Sequence, residues 1–179
     1  MSVAAWVLAA SVAHLPQAAA RLPAPEAAAE LAATTRALAA DPIVGEALEP
    51  DPDVLAAVRA ACRRTALVSA PVAVRLDAME CAVSLGDAAL PALLVHADEP
   101  EVRAGAAGLA PVGELVDVVR GDPAPLAAAA AAAALCGGDP AGAAARLGDD
   151  GRARVRALAA DVKIDAGYRR AIKPCLRPR

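Results

Sequence analysis

The side chains best suited to chemistry in this 179-residue chain are four cysteines, Cys62, Cys81, Cys136 and Cys175, and two histidines, His14 and His96. A protein metal site needs such groups at short spacing, as in Cys-x-x-Cys, and no two of them stand that close. A nucleophilic triad needs an imidazole base beside its nucleophile. Both histidines fall at expected helix ends, His14 ahead of Leu15-Pro16 and His96 where an imidazolium complements the helix dipole, so they read as surface groups. Paired carboxylates occur at Asp51/Asp53, Glu99/Glu101 and Asp149/Asp150. All lie at helix starts, where an anion offsets the macrodipole, so they read as first-turn charges rather than as acid–base pairs. Gly137-Gly138 lacks the following lysine of a phosphate loop.

Two readings are open for the cysteines: four reduced thiols in a cytoplasmic core, or two disulfides. Cys62 stands about seven residues before the turn at Ser69-Ala70 and Cys81 about eleven after it. In an antiparallel helix pair that is an axial offset of about 6 Å, at 1.5 Å per residue. A disulfide with its Cα atoms about 5.5–6 Å apart can span it. Cys175, between Pro174 and Pro178, would staple the terminus if tied to Cys136. The pairing 62–81 with 136–175 is therefore favoured, and with it, by a small margin, an extracytoplasmic or periplasmic location over a cytoplasmic one. The apolar stretch Val3–Ala13, which holds Trp6 as an expected core anchor, is like the centre of a secretory signal but has no Lys or Arg before it. It is too short to cross a membrane.

The elements that must position these residues are short helices. Asp-Pro recurs at Asp41-Pro42, Asp51-Pro52, Asp122-Pro123 and Asp139-Pro140. Asp accepts from the free N–H groups of a first turn, and Pro at the first helical position lacks an N–H that would have no partner there. The spacing predicts helices over 3–15, ending before Pro16, then 26–40, 52–68, 71–85 and 88–97, the last capped by Asp87. Further helices are predicted over 99–109, 111–121, 123–135 and 140–148, followed by a basic segment capped by Asp150. The eight alanines at 127–134 read as a close-packed central helix. Composition agrees: 54 residues are Ala, Phe is absent, and Val is the one common strand former. An all-α fold follows. Residues 1–50 form an N-terminal pair of helices with a proline-broken linker, and 51–179 a repeat domain with a basic tail.

Charge is divided unevenly. Residues 1–150 carry nine basic and nineteen acidic side chains, a net of −10, whereas 151–179 carry nine and two, a net of +7. With one Trp and one Tyr there are no stacking platforms for nucleic acid, and none is expected as a partner.

A phrase repeats along the chain: Val72–Val83, Glu101–Ala110, Ala124–Leu135 and Ala153–Val162, with a weaker copy at Asp53–Arg64. Aligned on Val74, Val102, Pro125 and Val155, the copies lie 28, 23 and 30 residues apart. A helix pair at this period marks a solenoid. The phrase Asp-x-x-x-Val-Arg, met by Asp98, Val102 and Arg103, resembles the HEAT-like repeat family in its short, phycobilin-lyase-type form. Asp150, Val155 and Arg156 fit with one extra residue, and Val74-Arg75 fits without the Asp. The resemblance spans about 51–163 and implies a right-handed α-solenoid of antiparallel helix pairs. In such repeats the Asp caps a helix and the Arg bonds to its neighbours. The family's functions are diverse, so fold leaves function open.

The expectation is a non-enzymatic protein–protein interaction or scaffold module without a cofactor or metal. Arg103, Arg120, Arg146, Arg152, Arg154 and Arg156 recur on the later repeats and would hold an acidic protein segment, since guanidinium binds carboxylate bidentately. The rival expectation is a lyase-type or enzyme-associated subunit that binds a chromophore or another small ligand.

Overall fold

The computed structural model describes residues 3–40, 48, 50–68, 70–137 and 140–176, giving the backbone alone for 3–7 and 140–146. The side chain of Trp6 and the residues Asp41, Pro42 and Asp139 therefore lie outside the description. Every regular element among the described residues is helical. The chain forms two compact units, Met1–Leu90 and Pro91–Arg179.

The first unit contains α1 (Val3–Ala13), α2 (Leu15–Ala20), α3 (Pro25–Ala40), α4 (Pro52–Leu67) and α5 (Val72–Ser84). Pro16 does not close the first helix as expected; it lies in the first turn of α2, where its missing N–H costs nothing. Asp51 caps α4, its Oδ1 accepting from the Asp53 N–H at 2.8 Å. Helix α5 packs against both α3 and α4. Its Val74, Ala78 and Ala82 are buried, as are Leu31 of α3 and Val58 of α4. Buried polar groups are satisfied locally. The Thr35 hydroxyl donates to the Leu31 carbonyl at 2.8 Å, and the Arg75 Nε–H to the Ala66 carbonyl at 2.9 Å. The Cys62–Cys81 disulfide joins α4 to α5 with 6.1 Å between Cα atoms.

The second unit contains most of α6 (Leu90–Leu94), then α7 (Pro100–Ala107), α8 (Val112–Gly121), α9 (Pro125–Cys136), α10 (Pro140–Ala160), α11 (Ala166–Ile172) and a 3-10 turn at Lys173–Leu176. Helix α6 is five residues long, shorter than the expected 88–97. The expected cap Asp87 binds the Arg63 guanidinium instead, with both carboxylate oxygens within 2.8 Å of Nη1. Helix α9 is central, packing against α7, α8, α10, α11 and the 3-10 turn. Its Ala127, Ala128, Ala131 and Ala132 are buried, as a stripe at this spacing requires. A methyl group buries little area, and small side chains let the neighbouring backbones come close enough for dispersion contacts.

Gly137 ends α9 with φ 59°, a left-handed conformation that costs Gly little. Gly148 breaks α10 with φ 59° and ψ −174°, a region open to Gly and essentially closed to other residues. The predicted boundary between the helix from Pro140 and the basic segment thus falls inside one element as a sharp break. Cys136–Cys175 ties the 3-10 turn to the end of α9, its Cα atoms 5.3 Å apart. Both disulfides are the pairs favoured from sequence.

Candidate interaction site

In the second unit, the polar arrangement begins at Arg103 on α7. Its Nε and Nη2 donate to Asp122 at 2.6 and 2.8 Å, and its Nη1 to the Ala97 and Asp98 carbonyls at 2.8 and 2.9 Å. Asp122 also accepts from the Ala124 N–H at 2.8 Å and so caps the approach to α9. The Asp122 side chain is 6% exposed. Its hydrogen bonds from Arg103 hold its carboxyl below the ordinary carboxylate pKa, and the same pairing raises the pKa of Arg103. This Arg therefore joins its own helix to the start of another within the unit. Four of the five guanidinium N–H donors are thereby filled within the unit.

The other expected arginines differ. Arg120 at the end of α8, and Arg154 and Arg156 on α10, are exposed. Among the described residues none of the three has an ion pair or hydrogen-bond partner. Arg152 is half-buried, and its Nε is buried without a hydrogen-bond partner. An unpaired buried N–H on a cation is costly, so this group is left wanting an acceptor. The side chain of Arg146 lies outside the description. His96 Nε2 sits 2.7 Å from Glu114 Oε2 on α8, so the expected helix-end histidine is held by a carboxylate.

Close to Arg154, the second unit has a cleft of about 660 Å³. Its walls come from the α7–α8 connection, the start of α8, the end of α9 and Leu147, and include Leu109, Pro111, Val112, Leu115 and Leu135. Every described lining side chain is apolar or Gly. Glycines bring the basic helix close to this wall. A Cβ placed on Gly151 would lie 3.5 Å from Val112 Cγ1 and 3.3 Å from Leu147 Cβ. A Cβ on Gly113 would lie 3.5 Å from Arg154 Nη1, so that guanidinium sits one residue from Val112.

Sequence reasoning missed this cleft. The available signal was Leu109-Ala110-Pro111, an apolar tripeptide in a connection between helices, where polar residues are usual. A second cleft of about 380 Å³ lies beside the Arg103–Asp122 pair and includes His96, Asp98 and Asp117. Among the described residues no group of three His, Cys, Asp or Glu side chains could hold a metal ion. No described helix is long and apolar enough to cross a membrane. Searches of family models, curated proteins and solved structures found no match to this chain.

Proposed function

We propose that the chain is a HEAT-like helical module that holds an acidic segment of another protein. The observation that carries this reading is the set Arg120, Arg152, Arg154 and Arg156 on α8 and α10. Among the described residues these guanidiniums lack internal acceptors, whereas four of Arg103's five donors are taken by Asp122 and two carbonyls. Guanidinium is weakly hydrated and binds carboxylate through two parallel N–H donors, so unpaired arginines are suited to an anionic partner. Arg103 leaves the binding set. The solenoid reading is supported by the repeated helix starts and by the role of Arg103, which ties α7 to Asp122 between α8 and α9.

The two disulfides favour an oxidising, extracytoplasmic setting for this activity. They also occupy all four thiols, so the rival lyase-type reading would need another reactive group. The described walls of the 660 Å³ cleft supply no nucleophile, acid or base.

The test compares the wild-type chain with R152E/R154E/R156E as bait for native binding proteins under non-reducing conditions. A partner retained by the wild type should be lost from the reversed variant, and wild-type retention should weaken as salt rises. Equal retention by both baits overturns the proposal.

A further inference from the structure

Resting on the reading above, we infer that the captured segment is an acidic sequence carrying an apolar residue, which enters the cleft walled by Leu109, Val112, Leu115, Leu135 and Leu147 while its carboxylates meet Arg152 and Arg154. Two independent features converge on this occupant. The cleft volume of about 660 Å³ falls within the range of about 300–1,000 Å³ typical of ligand sites. Every described side chain of the lining is apolar or Gly, so among the described residues no side-chain donor or acceptor orients a polar group inside it. Leu109 stands 49% exposed at this wall, a large apolar surface left open to water.

The polar recognition lies immediately beside the cleft. Gly151 packs against Val112 and Leu147, two of the lining residues, and the next residue is Arg152 with its buried, unpaired Nε. Arg154 reaches Gly113, the residue after Val112. A ligand that fills the cleft and also reaches these cations must be apolar at one point and anionic at the next. Arg120 and Arg156 extend the positive charge to further exposed positions on the same two helices. A single carboxylate, as on a fatty acid, would leave most of that charge unmet. A peptide with several Asp or Glu around a Leu-sized side chain meets more of it, and burial of that side chain supplies affinity that charge alone does not.

Fluorescence anisotropy with the intact, oxidised chain tests this. The probes are two labelled octapeptides, one of Asp and Glu alone and one with two central Leu in the same acidic frame. Decanoate serves as a competitor. The Leu peptide should bind at least about tenfold more tightly, a gap of about 1.4 kcal/mol. L109N, altering a half-exposed residue without adding charge, should abolish that gap and leave the all-acidic peptide's weaker binding in place. R152E/R154E should remove binding of both peptides. If both peptides bind equally to the wild type, the apolar anchor is overturned while the acidic-segment reading stands. Failure of both to bind overturns the anchor and the reading together. Efficient displacement by decanoate, with no advantage for Leu, overturns the anchor in favour of a lipid-like ligand.

Discussion

The two units differ in how far their arginines are satisfied from within. In Met1–Leu90, Arg21 pairs with Glu30, Arg36 binds Glu80 through two donors, and Arg63 holds Asp87. Arg59 and the buried Arg75 donate to the carbonyls of Leu85 and Ala66. Apart from Arg64, which is exposed with no acceptor among the described residues, the arginines there close the unit on itself. In Pro91–Arg179, Arg103 does the same, and Arg169 and Arg170 donate to the carbonyls of Ile164 and Ala166, but Arg120, Arg152, Arg154 and Arg156 have no acceptor among the described residues. A guanidinium with its donors filled from within acts as a brace, and one left open is available to a partner. The same residue type thus takes two roles, and the difference lies in whether a carboxylate or carbonyl comes within reach.

The closing of each unit can be broken at its disulfide. Cys136–Cys175 spans 39 residues and Cys62–Cys81 spans 19. Loop-closure entropy gives about 4 kcal/mol for the longer and about 3 kcal/mol for the shorter. C136A/C175A should therefore destabilise its own unit more than C62A/C81A does, read by hydrogen exchange at amides of α9 and α5. The reverse order would show that strain or residual structure cancels the entropic advantage of the longer loop.

The braces can be compared next. The Arg103–Asp122 side chains are 11% and 6% exposed, against 38% and 10% for Arg63–Asp87. Asp122→Ala strands a shielded guanidinium and an N–H of the approach to α9, at a cost of about 2–3 kcal/mol. Asp87→Ala leaves Arg63 able to turn to water, so the cost is about 1 kcal/mol or less. Urea denaturation of both variants decides the order. The carboxyl of Asp122 also titrates below its ordinary value of 3.8 because Arg103 hydrogen-bonds its charged form. Its stabilisation is complete above that value and is lost as pH falls through the lower, folded-state pKa. Acid should accordingly weaken the wild-type second unit by more than it weakens Asp122→Asn. Equal acid sensitivity would remove this pair as a source of the pH dependence.

The smallest effect concerns the element that carries the open arginines. Gly148→Ala must place a Cβ at φ 59° and ψ −174°, and should cost about 1 kcal/mol or somewhat more. If the break in α10 matters for presenting Arg152 and Arg154, the variant should also bind the Leu-bearing acidic peptide less well. A stable variant with unchanged binding would separate the break from the site.

Much of this fold was legible in local chemistry. Asp51-Pro52 announced α4, Gly137 announced the end of α9, and the Ala run announced a close-packed helix, because capping, backbone freedom and side-chain size act over a few residues. The misses have a physical pattern as well. Pro16 suits the inside of a first turn as well as the residue after a helix, and sequence does not separate the two. Asp87 was assigned to a cap from its place before Ala88, but Arg63, 24 residues earlier in the chain, competes for the same carboxylate. The arginine set was legible as a list, but not its division into braces and open cations.

By itself, the sequence determined the all-helical character and most helix starts and stops. It also favoured the pairing of Cys62 with Cys81 and of Cys136 with Cys175. These depend on backbone propensity, capping and the reach of one side chain across one turn. Tertiary structure alone decided that Asp122 fills Arg103, that Arg152 keeps a buried N–H without an acceptor, and that Leu109, Val112, Leu135 and Leu147 wall one cleft. Those outcomes depend on which distant groups arrive within about 3 Å or 4 Å of each other, and no local pattern encodes that distance.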